Sequence, residues 1–221
     1  MSPELLKMIA WSTVDTLRMV ALAGLFGTLI GLPLGIFLAT SRAGELFPAP
    51  LANRLVGLVV NATRSTPFII LVVAIVPLTR LIAGTSIGTA AATVPLTIAA
   101  VPFIARVVEA AVREVDQGLI EAARAFGASP LQIVRKVLLP EALPAVTLAL
   151  TLTLVSLIGY SAMVGAVGGG GLGDLGIRYG YQRFMPDVML VVVLVLIALV
   201  QGVQSIGDTI ARRLDKRSRR S

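Results

Sequence analysis

The chain contains no cysteine and no histidine. The first absence excludes disulfides, thiolate metal sites and a cysteine nucleophile. The second removes the commonest general base and metal ligand. Charge is scarce as well: 14% of residues are Asp, Glu, Lys or Arg, against about 25% in soluble proteins. So few charges cannot cover a water-soluble globule, and with 56% hydrophobic residues the composition reads as a bundle of spanning helices. No Gly-Lys pair occurs, so the chain has no phosphate cradle of the G-x-x-x-x-G-K-[ST] kind and cannot itself hold ATP that way. The glycine-rich run 168–173 has no lysine and reads as a close-packed turn between spans. No metal site and no catalytic constellation is expected. Glu109, Glu114, Asp116 and Glu121 are read as charge pairs and caps in a solvated loop.

What the sequence does have is long charge-free runs, at 19–41, 81–105, 142–173 and 188–207. About 20 apolar residues cross a bilayer core about 30 Å thick. The run 19–41 is too long for a signal-peptide core and reads as a true span. The run 65–79 is short, but the residues before it are also apolar. One span over 55–82 is expected, with a re-entrant segment as the alternative. The spans are read at 16–41, 55–82, 87–107, 141–165 and 187–210, with a loop over 109–140. The fold class expected is therefore all-α, a polytopic membrane protein with five transmembrane helices. No internal repeat is evident.

Five spans place the termini on opposite sides. With the C-terminus cytoplasmic, the inner segments hold Arg42, Arg54, Arg64, Arg106, Arg113, Arg124, Arg135, Lys136, Arg212, Arg213, Lys216, Arg217, Arg219 and Arg220. Lys7, Arg18, Arg80, Arg178 and Arg183 remain outside. That asymmetry sets the N-terminus outside and the C-terminus inside. The net charge of +7 then follows from topology, and the basic tail reads as an anchor near anionic lipid, not a nucleic-acid arm.

The loop is the best-punctuated part of the chain. Asp116 suits a helix N-cap. Leu119, Ala122, Ala123 and Phe126 recur at i, i+3, i+4 and i+7 as one apolar face. Gly127 suits the left-handed position that ends a helix. Ser129-Pro130-Leu131-Gln132 reads as a capping box with proline at the first helical position. A second short helix is expected, with Leu131, Val134 and Leu138 on one side and Pro140 closing it. Such a hairpin either docks into a partner's groove or packs on its own membrane domain.

Glu121-Ala122-Ala123, Gly127, Val137 and Leu139-Pro140 resemble the EAA loop of ABC importer permeases, with valine where that pattern has isoleucine. Arg64-Ser65-Thr66-Pro67-Phe68, Gly84-Thr85-Ser86-Ile87-Gly88, Pro102-Phe103-Ile104-Ala105-Arg106 and Gly159-Tyr160-Ser161-Ala162-Met163 look like the permeases of methionine importers. The likeness runs over about 16–212. It implies a single transmembrane permease domain over 1–221, working as a homodimer in the bacterial inner membrane. It further implies two cytoplasmic ATPase subunits carrying ATP and magnesium, an extracytoplasmic substrate-binding protein and methionine as cargo moved by alternating access. This chain would carry no cofactor and would not be an enzyme. Glu121, Ala122, Ala123, Phe126 and Gly127 would form the coupling helix that meets the ATPase.

Pathway residues must be polar or broken-helix features within spans. Ser86, Thr89, Thr93 and Thr97 form a polar stripe that either lines a pathway or bonds back to its own helix. Tyr160 offers a ring and a hydroxyl, and Met163 a polarizable neighbour for a thioether. Ser86, Tyr160 and Met163 are therefore taken as candidates for the substrate pathway or a regulatory substrate site, with plain packing as the alternative. Arg64 and Pro67 are read as structural elements of the inner gate, with Arg64 snorkelling or paired. Two other classes are weighed. A secondary transporter would need intramembrane acids, and none lies within the clear spans. A membrane enzyme would need a site the chain lacks. A permease for another amino acid is the alternative within the leading reading.

Overall fold

The computed structural model describes residues 3–215, and these contain helices and turns with no strand among them. The basic tail over 216–220 lies outside the described residues. Helix α1 (Pro3–Thr40) begins well before the span boundary read at residue 16. Its first turns are held by packing: Leu5 and Ile9 are buried with Leu172, Leu175, Val188 and Val192.

Helix α1 lies along α5 (Thr89–Arg113), the most extensive helix pairing in the fold. Glycines make that approach possible. A Cβ on Gly31 would stand 2.8 Å from the Val101 carbonyl oxygen, and one on Gly35 2.6 Å from that of Ala105. Within a membrane, helices associate by such close packing, since lipid tails are as apolar as leucine.

The span expected over 55–82 is not one straight helix. The chain forms α2 (Pro50–Ser65), α3 (Phe68–Ala74) and α4 (Val76–Ala83), and α2 meets α3 at 104°. The cause is Pro67, which has no N–H and pushes the residue before it out of helical backbone. Thr66 accordingly takes φ −79° and ψ 124°. Among the described residues four helical rods are long and apolar enough to cross a membrane, and the bent α2–α3 pair makes a fifth crossing when counted as one span.

Helix α5 runs past the expected limit at residue 107. After it come α6 (Gln117–Ala125) and α7 (Pro130–Ile133), then a wide π turn over Val134–Leu138 that leads straight into α8 (Leu139–Gly165). The expectation that Pro140 closes a separate short helix is also corrected, because Pro130–Gly165 is one 36-residue rod. The π turn explains why the proline is tolerated. The Leu139 N–H donates to the Val134 carbonyl, five residues back. This wider coil relieves the crowding that a proline imposes on the preceding turn.

Helix α8 ends at Gly165, as expected, and the glycine-rich turn is close-packed. Gly168 accepts a hydrogen bond from the Gly88 N–H at 2.8 Å, and the Leu172 N–H donates to Thr16 Oγ1 at 2.9 Å. The turn gives way to a short helix α9 (Gly171–Leu175) and a second π turn over Gly176–Gln182. Helix α10 (Pro186–Leu214) packs on α8 and leaves Leu190, Leu194 and Ile197 exposed, an outer face suited to hydrocarbon.

Candidate functional site

The hairpin between α5 and α8 is built as its punctuation predicts. Asp116 Oδ1 accepts the Gly118 N–H at 2.7 Å and caps α6. Gly127 sits at φ +75°. The Ala128 N–H reaches the Ala123 carbonyl at 3.0 Å and the Gly127 N–H that of Arg124 at 2.9 Å. These two bonds are the Schellman closure that a left-handed glycine permits. Beyond it, Gln132 Oε1 accepts the Ser129 N–H at 2.8 Å, and Ser129 Oγ accepts the Gln132 N–H at 3.4 Å.

The apolar face expected on α6 divides in two. Ile120 is buried and Ala123 packs against the protein's own core. Leu119, Ala122 and Phe126 point away, with Phe126 91% exposed. Ala123 is thus a holding residue, while Glu121, Ala122, Phe126 and Gly127 are presented. Across the turn Ile133, Val134 and Leu138 are buried, and Leu131 is exposed instead of sharing their side. The hairpin therefore both packs on its own domain and offers a free apolar ridge. A phenylalanine at that level of exposure is a natural anchor for a partner's pocket.

At the root of the hairpin stands Glu109, only 4% exposed. Its expected place in a solvated loop is corrected, because α5 continues through it. Its carboxylate meets Arg106 Nη1 at 2.5 Å, Arg42 Nη2 at 3.2 Å and Arg113 Nε at 3.4 Å. Arg106 also donates to the Gly57 carbonyl of α2 at 3.0 Å. One buried carboxylate thus ties the α1–α2 connection, α2 and α5 together. Buried charges persist only when paired in this way.

The pathway candidates are not brought to one place. Tyr160 lines a cavity of about 150 Å³ with Thr63, Arg64, Thr66, Phe68 and Phe103 among its neighbours. Its ring stacks on Phe68, centroids 4.5 Å apart and planes 13° from parallel. Ser86 lines a different cavity, beside Thr79, Pro95 and Gly169. Met163 lies partly exposed on α8, and neither cavity includes it. The threonine stripe bonds back onto its helix: Thr93 donates to the Thr89 carbonyl at 2.9 Å and Thr97 to that of Thr93 at 2.8 Å. Arg64 is exposed in the last turn of α2, its guanidinium 5.8 Å from the Phe103 ring centroid. No carboxylate pairs with it among the described residues.

The charge-pair reading of Glu109 holds, and Arg106 and Arg113 flank it at i−3 and i+4, the spacing of helical ion pairs; what the sequence missed is its burial. The stacking of Phe68 on Tyr160 was missed as well, because only the 104° break brings α3 beside α8.

The family model for binding-protein-dependent transport system inner membrane components matches residues 31–220. The probable D-methionine transport system permease protein MetI of Vibrio cholerae is 54% identical over 217 residues, covering 98% of this chain and 95% of that protein. The D-methionine transport system permease protein MetI of Escherichia coli is 53% identical over 165 residues, 75% of this chain and 76% of that one. Among solved structures, an inward-facing conformation of the MetNI methionine ABC transporter aligns with TM-score 0.95 and 50% identity, over 98% of this chain and 100% of that one. An amino acid ABC transporter solved with histidines aligns with TM-score 0.76 at 20% identity, over 96% and 100% of the two chains. That second match speaks to the fold alone.

Proposed function

The chain belongs to the family of binding-protein-dependent transport system inner membrane components, and from that membership we propose that it is the permease subunit of an ATP-driven importer carrying methionine across the bacterial inner membrane. The observation that carries the substrate is identity above half with permeases named for D-methionine. The observation that carries the machine is the free ridge of Leu119, Ala122 and Phe126 on an otherwise anchored hairpin.

The mechanism follows from the hairpin's two attachments. Two copies of the chain form the pathway, and each presents its α6 ridge to one cytoplasmic ATPase subunit. ATP and magnesium bind on that partner, and this chain performs no hydrolysis. A displacement of the ridge enters α5 through the Glu109 cluster and α8 through the continuous rod. Those two helices pack against each other, so their relative movement alternates access to the cavity between α2, α5 and α8. The N-terminus lies outside and the hairpin inside, in keeping with the basic residues around Glu109. A binding protein delivers the cargo from the outer side.

The test is uptake of labelled methionine by cells that lack their own methionine importer and express this chain with its cognate ATPase and binding protein. Energy-dependent uptake, competed by unlabelled methionine, is expected. Uptake of another amino acid instead would keep the importer and change its cargo.

A further inference from the structure

The cavity beside Tyr160 is lined by a cation, Arg64, with no counter-charge among the described residues. A guanidinium carries five N–H donors, and none from Arg64 engages an acceptor among the described residues. Its one defined partner is the face of Phe103. Charge within a membrane domain is costly and is kept where it faces a cavity with work to do. Arg64 faces such a cavity, at the bend between α2 and α3 and against the middle of α5 and the outer half of α8. The remaining polar groups there are the hydroxyls of Thr63, Thr66 and Tyr160. The two threonines donate to the carbonyls of Val59 and Ala62, so their lone pairs remain available as acceptors. The Tyr160 hydroxyl has no hydrogen bond among the described residues.

Resting on the importer reading, we propose that this cavity is a stopping point for the cargo, with Arg64 receiving the amino acid's carboxylate. The planar fork of an arginine matches a carboxylate in two parallel hydrogen bonds. The hydroxyls can accept from the ammonium group. The rings of Phe103 and Tyr160 form the apolar wall against which an uncharged side chain lies, and a thioether gains from such contact. The ligand class is a zwitterionic amino acid with an apolar side chain. The bend at Pro67 sets Phe68 of α3 against Tyr160 of α8, and the cavity's place at the outer half of α8 departs from the inner-gate position read for Arg64 and Pro67.

The experiment uses the permease with its ATPase in detergent, without binding protein, and labelled methionine in equilibrium dialysis. Unlabelled methionine and methionine amide, which lacks the carboxylate charge, compete for the label. The wild type is expected to prefer methionine by at least tenfold. Arg64→Gln is expected to reduce that preference to within twofold, and Arg64→Lys to restore part of it. A merely structural arginine would weaken both competitors together. An unchanged preference in Arg64→Gln, or a wild type that binds no methionine, overturns the site. The uptake assay separates the two readings. Methionine uptake by a wild type that fails the dialysis test leaves the importer standing without this site. A wild type that takes up no methionine overturns the substrate reading instead.

Discussion

Arg42, in the connection after α1, holds Glu109 of α5 through Nη2 and Oε1 at 3.2 Å, across 67 positions of sequence. Glu109 is the shared partner of three arginines, and its removal leaves all three without their acid. Glu109→Ala is expected to destabilise the permease by about 3 kcal/mol, the usual cost of breaking a buried ion pair from one side. Arg42→Ala removes the most exposed of the three arginines and is expected to cost about 1 kcal/mol or less. Thermal unfolding of the two variants in detergent measures the difference, and equal effects would show that the cluster does not hinge on Glu109.

Gly127→Asp forces a side chain into backbone at φ +75°, a strain of about 1–2 kcal/mol confined to the turn. It also sets a negative charge beside Phe126. Loss of ATPase co-purification with normal membrane levels of the permease is expected. Normal co-purification would count against the hairpin as the docking element.

Phe126→Ala should separate docking from folding. A side chain 91% exposed contributes little to its own domain, so stability is expected to hold within about 0.5 kcal/mol. Affinity for the ATPase is expected to fall at least tenfold, as for a buried aromatic anchor, where about 2 kcal/mol or more is lost. Titration of the purified permease with ATPase subunit reads it directly.

Gly35→Val tests the contact between α1 and α5. The new Cβ would meet the Ala105 carbonyl oxygen and Val108, and overpacking of this kind costs about 1–3 kcal/mol. A lower melting temperature and reduced membrane accumulation are expected. A wild-type melting temperature would mean that the helices part without cost.

These results also mark where the sequence was legible. The hairpin was readable because its signals are local: Asp116, Gly127 and Ser129 each act on backbone within a few residues. The spans were readable because hydrocarbon selects for charge-free length. The break at Pro67 was visible as a proline but not as a 104° turn, since the direction of a kink depends on what packs beyond it. The rod through Pro140 was misread because a proline normally stops a helix, and a π turn is a remedy that leaves little trace in residue type. Glu109 looked solvated because its helix was ended too early. The cavity at Arg64 could not be read at all, because its walls come from α2, α3, α5 and α8 and meet only in the folded chain.

The uninterrupted rod Pro130–Gly165 has a mechanical consequence. At 1.5 Å per residue it is about 54 Å long, so a tilt of about 10° pivoting at the hairpin end swings the Gly165 end sideways by about 9 Å. A small change of angle at the hairpin therefore becomes a much larger displacement at the Gly165 end. The π turn over Val134–Leu138 and Pro144 are the two places along the rod where a bend can absorb part of that swing.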